Sequence, residues 1–211
     1  MKKRKIIFLI FGIILLLIIT GIIILFSPRK PAETVIDSSH IIPHLLDGDI
    51  ILRQGDATYS AMFSDVSLTD KRFSHLGVAR IRDDEISVIH SIGNILRPNA
   101  GVRKYSLELF LRNAMSVGIF RFRHADGSLI SDKSLDFINR PFDWDFDISD
   151  DSKIYCTELM HVILEDIAPE YKLTTLFLDS ISKEVIPLDS ISASDLFDEI
   201  FFIKIDTTRQ Q

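Results

Sequence analysis

One cysteine and two histidines are the residues of this chain whose types and spacing could together do nucleophilic catalysis: Cys156, His75 and His90. Cys156, the only cysteine, lies in Lys153-Ile154-Tyr155-Cys156-Thr157-Glu158-Leu159, where an acidic loop passes into an amphipathic stretch. Apolar residues at Cys156, Leu159, Met160, Ile163, Leu164 and Ile167 follow the spacing of one buried helix face. A thiol on the first turn of a helix meets unpaired backbone N–H groups and a partial positive charge. Both favour the thiolate, and the amides of Tyr155 and Cys156 could hold an oxyanion. The bland alternative is a small apolar filler, since free cysteine is among the most buried residue types.

The histidines occupy a predicted hairpin. Phe73-Ser74-His75-Leu76-Gly77-Val78-Ala79-Arg80-Ile81-Arg82 reads as a strand, Asp83-Asp84-Glu85 as a turn, and Ile86-Ser87-Val88-Ile89-His90-Ser91 as an antiparallel partner. Alternation places His75, Gly77, Ala79 and Ile81 on one face, and Ile86, Val88 and His90 on one face of the next strand. With the hairpin centred near Asp83, residues whose numbers sum to about 165 face each other, which makes His75 and His90 neighbours.

The elements that must position these groups follow from the same patterns. Gly48-Asp49-Ile50-Ile51-Leu52 predicts a turn into a short buried strand, and Val117 to Phe122 another. Tyr105 to Asn113 and Ser131 to Asn139 are predicted helices, the second capped by Ser131, and Cys156 opens a third. Ser192 or Ser194 could cap a brief helical turn through Phe197, with a last strand from Ile200 to Ile205. The class is α+β, with a largely antiparallel sheet packed on the cysteine-bearing helix.

Residues Ile6 to Phe26 carry no charge and are almost wholly apolar, long enough as a helix to cross a bilayer core of about 30 Å. Lys2, Lys3, Arg4 and Lys5 precede them, and Arg29 and Lys30 are the nearby positive charges that follow. The bias keeps the N-terminus inside and sends the remainder outward. A cleavable signal peptide would have a shorter apolar run ending in small residues, so 1–27 is expected to be an uncleaved anchor, 28–45 a linker and 46–211 one domain. The expected location is a bacterial cytoplasmic membrane, with the domain on the outer side. Residues 28–211 hold 20 Lys+Arg against 30 Asp+Glu, a net charge of −10. That excludes a nucleic-acid partner, whose phosphates need cations.

Gly48-Asp49-Ile50-Ile51, Phe73-Ser74-His75-Leu76-Gly77, Arg140-Pro141-Phe142-Asp143-Trp144-Asp145-Phe146 and Tyr155-Cys156-Thr157-Glu158-Leu159, in this order, resemble the YiiX/YebB-like permuted papain-like cysteine hydrolases, circularly permuted relatives of NlpC-type cell-wall peptidases. The resemblance runs from about Leu46 to Ile167, and loosely to Ile186-Pro187-Leu188. It implies that fold, no cofactor, Cys156 as nucleophile and His75 as base. The third position, commonly glutamate in this group, falls in Val88-Ile89-His90-Ser91. A neutral imidazole there could still orient the base by a hydrogen bond to its Nδ1. The implied chemistry is acyl transfer through a thioester.

Three readings follow: an amidase or peptidase acting on cell-wall peptide, a lipid-directed acyl hydrolase or acyltransferase of the Cys-His-His type, and a catalytically silent binding module. Asp143, Asp145, Asp147, Asp150 and Asp151 suggest a cation loop, but Ile148 and Ile154 stand where an EF-hand needs glycine and glutamate. A solvated loop at the positive end of the helix is the expectation. His161 is read as a surface residue, and His40, His44 and His124 lack metal-ligand spacing. Trp144 and Phe146 either line a groove or pack the loop.

Overall fold

The computed structural model describes residues 36–55, 64–93 and 100–205. The predicted span at 6–26 lies outside them; among the described residues no helix is long and apolar enough to cross a membrane. The strands are β1 (Ile50–Gly55), β2 (His75–Arg82), β3 (Glu85–Ile92), β4 (Gly101–Ser106), β5 (Ala114–Phe122), β6 (Leu176–Leu178), β7 (Lys183–Val185) and β8 (Phe197–Lys204). The helices are α1 (Leu107–Leu111), α2 (Gly127–Ser134), α3 (Cys156–Ile167) and α4 (Asp189–Ser192). Six strands form one sheet in the order β4-β3-β2-β1-β5-β8, and β6 and β7 pair separately. Every neighbouring pair is antiparallel.

The sheet is buried on both faces because its central strands carry apolar residues at odd and even positions alike. One face holds Ile50, Leu52, Leu76, Val78 and Ile89 against Leu159, Met160 and Ile163 of α3. The other holds Ile51, Ala79, Val88 and Ile119 against Leu107 and Phe110 of α1. Residues Ile36, Ile41 and Leu45, within the stretch expected as linker, are buried in this second core.

Several predicted bounds move, each for a local reason. The β2–β3 hairpin closes through a two-residue turn, Asp83 and Asp84, both with positive φ (50° and 65°), the geometry that matches strand twist. Its facing residues therefore sum to 167 rather than 165, as in Ala79↔Val88 and Ile81↔Ile86. The predicted 105–113 helix is two elements: Tyr105 belongs to β4, and Ser106 caps α1 by accepting from the Leu109 N–H at 3.2 Å. Likewise α2 begins at Gly127 under an Asp126 cap, not at Ser131, whose hydroxyl instead donates to Asp47 Oδ2 at 2.8 Å. The brief helix expected from Ser192 or Ser194 through Phe197 is instead α4, which ends at Ser192, and the last strand starts at Phe197 rather than Ile200; the β6–β7 hairpin had no alternation strong enough to reveal it.

Candidate active site

His75 opens β2, and His90 lies near the end of β3 on the same face of the sheet as Ala79 and Val88. The observed register sets His90 opposite Gly77 and leaves His75 two residues ahead, on the diagonal. The rings meet nonetheless: His75 Nε2 and His90 Nδ1 are joined by a hydrogen bond of 2.8 Å. Sequence reasoning placed the orienting bond on His75 Nδ1; it is Nε2, the far nitrogen, that can reach a diagonal neighbour. That bond leaves Nδ1, the nitrogen nearer the backbone, outside the histidine pair.

Gly77 permits this arrangement. A Cβ built there would lie 2.4 Å from Val88 Cγ1, 3.0 Å from the Phe110 ring and 3.1 Å from His90 Cβ. Gly77→Ala is therefore expected to destabilise the fold by about 1–3 kcal/mol through overpacking and to disturb the His75–His90 pair. Denaturant unfolding, with histidine ring resonances followed in parallel, checks both effects.

His90 is 5 % exposed, with Tyr105 and Phe110 packed edge-on at 4.7 and 5.0 Å between ring centroids. Its Nε2 has no hydrogen-bond partner among the described residues. Arg53, facing His75 across β1–β2, anchors its guanidinium on the carbonyls of Phe110 and Arg112 at 2.6 and 2.8 Å. Burial, then His90 and this guanidinium, hold the His75 pKa well below 6.5. Burial, then Arg53, lowers His90 to about 3. Both imidazoles are neutral at pH 7. Arg53, Tyr105 and Phe110 were not singled out from the sequence, because their role depends on which strands are adjacent.

Cys156 begins α3 as predicted, though on the opposite face of the sheet from the histidines. The two halves approach at the open end of β2–β3. Across β1–β2 the Ala79 N–H donates to the Asp49 carbonyl at 2.8 Å, so by alternation the Leu76 N–H points toward β3. The β2–β3 pairing starts only at Val78↔Ile89. In that gap the thiol of Cys156 meets the backbone N–H groups of Thr157, of its own residue and of Leu76. Among the described residues no hydrogen bond joins the sulfur to His75; the sulfur lies at the amide next to it.

Two expectations are corrected here. The thiol is not acidified: burial outweighs the N–H donors and pushes it up to about 11, so at rest it keeps its proton. The Tyr155 amide is not an oxyanion donor either, because it donates to Glu158 Oε2 at 3.0 Å in a capping interaction. The amides of Cys156, Thr157 and Leu76 remain around the sulfur. Burial also raises Glu158 to about 8, and its Oε1 has no partner among the described residues.

A dense set of bonds fixes the start of α3. The Ile154 N–H donates to the Pro141 carbonyl at 2.9 Å, and Ser91 Oγ donates to the Ile154 carbonyl. Ile186 is gripped on both sides of Cys156: its N–H donates to Tyr155 Oη at 2.9 Å, and its carbonyl accepts from Thr157 Oγ1 at 2.6 Å.

The acidic loop is internally satisfied. Asp143, 1 % exposed, accepts from the Asp145 and Asp147 N–H groups, while Asp145 pairs with Lys153 and Asp147 with Lys183. His161 is partly buried beside Glu165, and His124 stacks on Tyr171. Among the described residues no group of three or more His, Cys, Asp or Glu is placed to hold a metal ion. A cavity of about 330 Å³ lined by Leu46 to Asp49, Arg121 and Ala125 to Ser128 contains none of the three candidate residues.

Comparison with known families matches residues 44–184 to the permuted papain-like amidase enzymes of the YaeF/YiiX type. Among solved structures, the crystal structure of the metalloprotein YiiX from Escherichia coli O157:H7 is similar with a TM-score of 0.58 and 12 % identity, covering 77 % of this chain and 98 % of that one. At that identity the likeness concerns the fold. No curated protein matches this chain.

Proposed function

This chain belongs to the permuted papain-like amidase family of YaeF and YiiX, and on that premise we propose that it is a cysteine hydrolase cleaving amide bonds through a thioester on Cys156, with His75 as base and His90 as orienter. The observation that carries the reading is the 2.8 Å bond between His75 Nε2 and His90 Nδ1, at the open strand end where the Cys156 sulfur meets the Leu76 amide.

The useful tautomer follows from that bond. For Nδ1 of His75 to accept a proton, its Nε2–H must donate to His90 Nδ1, and His90 then carries its own hydrogen on its buried Nε2. His75 Nδ1 takes the thiol proton as sulfur attacks the carbonyl. The C–S bond forms, and neighbouring amides stabilise the oxyanion. The imidazolium next gives its proton to the departing nitrogen as the C–N bond breaks. Water, deprotonated by His75, attacks the thioester and releases the acid and the thiol. A thiol held near 11 makes proton transfer concerted with attack.

The substrate we assign is cell-wall peptide, supported by the charge-free run at 6–26 with its basic N-flank, which would tether an outward-facing domain to the membrane. The test is the alkylation rate of Cys156 by iodoacetamide across pH, alongside His75→Ala and His90→Ala. Wild-type protein is expected to react faster than His75→Ala through neutral pH, with His90→Ala between them. Equal rates for all three would overturn the assignment and leave a tethered binding domain.

A further inference from the structure

We infer that Trp144 is a specificity residue of the proposed site, receiving an apolar substituent next to the carbonyl that Cys156 attacks; this rests on the hydrolase reading above. An exposed tryptophan is unremarkable on its own. Trp144 differs in where it stands and in what has been arranged to hold it there.

The loop before α3 is braced on both sides of this residue. Upstream, Phe142 is buried and lies over Gly93, one residue past the end of β3; a Cβ on Gly93 would come within 2.8 Å of its ring. Downstream, Phe146 packs on Tyr155, the neighbour of the nucleophile, at 5.3 Å. Phe146 does so with a φ of +51°, a left-handed conformation costly for a bulky residue. Between them the buried Asp143 carboxylate accepts the Asp145 and Asp147 N–H groups at 2.9 and 2.6 Å. The loop thus spans from the histidine-bearing strand to the residue preceding Cys156. It keeps Trp144 against Phe142 at 4.6 Å between centroids while leaving it 46 % exposed.

Strain and a buried carboxylate are being used to present, not to bury, a large aromatic surface. Two of the three aromatic side chains in this loop pack inward and the largest does not. A rigid aromatic face on the loop that leads into the nucleophile's helix offers apolar contact at little entropic cost. The chemistry it fits is an apolar side chain or a hydrocarbon chain adjoining the scissile carbonyl.

Trp144 is the only tryptophan, so emission reports on this ring alone. Cys156 is alkylated with N-benzyl-iodoacetamide and, separately, with iodoacetamide and N-octyl-iodoacetamide. In wild-type protein the benzyl or octyl reagent is expected to react at least about fivefold faster than iodoacetamide, a size typical of one aromatic contact, and to change the Trp144 emission. The two reagents separate a preference for rings from one for chains. The rate ratio should fall toward one in Trp144→Ala and be retained in Trp144→Phe. A wild-type ratio near one, or a ratio unaltered in Trp144→Ala, overturns the inference. Failure of the hydrolase reading shows differently, as iodoacetamide rates indifferent to His75→Ala.

Discussion

His75→Ala is expected to lower amide hydrolysis by a factor on the order of 10²–10⁴, the usual range for loss of a general base, with Cys156→Ala leaving no thioester to form. The size of the effect follows from the state of the thiol. The thiol is held near 11 by burial, so unlike a preformed thiolate it depends on proton transfer at every turnover. The second histidine is a poor substitute, since burial lowers its pKa to about 3. The pH dependence carries its own signature. His75 titrates well below 6.5 because burial, His90 and Arg53 all disfavour the imidazolium. The neutral base therefore persists into mildly acidic solution, and kcat/KM should stay flat through neutrality and decline only well below pH 6.5. Release of free amine from muropeptides, followed from pH 4 to 9 in wild type and variant, is the measurement; an acid limb at or above 6.5 would contradict it.

The second large effect is on stability. His90 falls from 6.5 to about 3 on folding, so between those values the unfolded chain binds the extra proton. Stability from this group is complete above pH 6.5 and drains away as pH falls toward 3, by at most about 5 kcal/mol. Glu158 has the opposite sign. Its pKa rises from 4.5 to about 8, so the folded state holds a proton the unfolded state releases. That contribution is complete below pH 4.5 and is lost as pH rises through 8, again by at most about 5 kcal/mol. Denaturant unfolding across pH should give a maximum between mildly acidic and neutral values. Glu158→Gln is expected to flatten the alkaline side alone, since an amide oxygen can still accept the Tyr155 N–H, and His90→Phe the acidic side alone. A wild-type stability that keeps rising from pH 5 to 9 would show that Glu158 does not retain its proton.

Much of the candidate site was legible in one dimension. The helix at Cys156 was visible because its buried face repeats at the helical period and begins at the cysteine. The two histidines could be paired because a hairpin turn is local, and a turn position constrains which residues come together even when the register is off by two. That offset was tolerable only because a shift of two preserves the face; a shift of one would have sent His90 to the side of α3. Among the elements misread, β4 and the start of α2 are those where short polar caps, Ser106 and Asp126, decide the boundary over a weak apolar pattern.

What the sequence by itself determined is the kind of chemistry available and the faces its carriers occupy: one thiol at a helix start, two imidazoles on neighbouring strands, and order and spacing that resemble the permuted amidases. What only the tertiary structure decided is how those groups behave. Proton affinities depend on what surrounds a group in space, and the burial that lifts Cys156 to about 11 and drops His90 to about 3 comes from segments far away in the chain. The same holds for the nitrogen His75 offers to His90, the loss of the Tyr155 amide to Glu158, and the nearness of Arg53. Periodicity reports which face a residue occupies; it carries no information about desolvation or about a partner fixed by strand order, and those two quantities set the reactivity of the site.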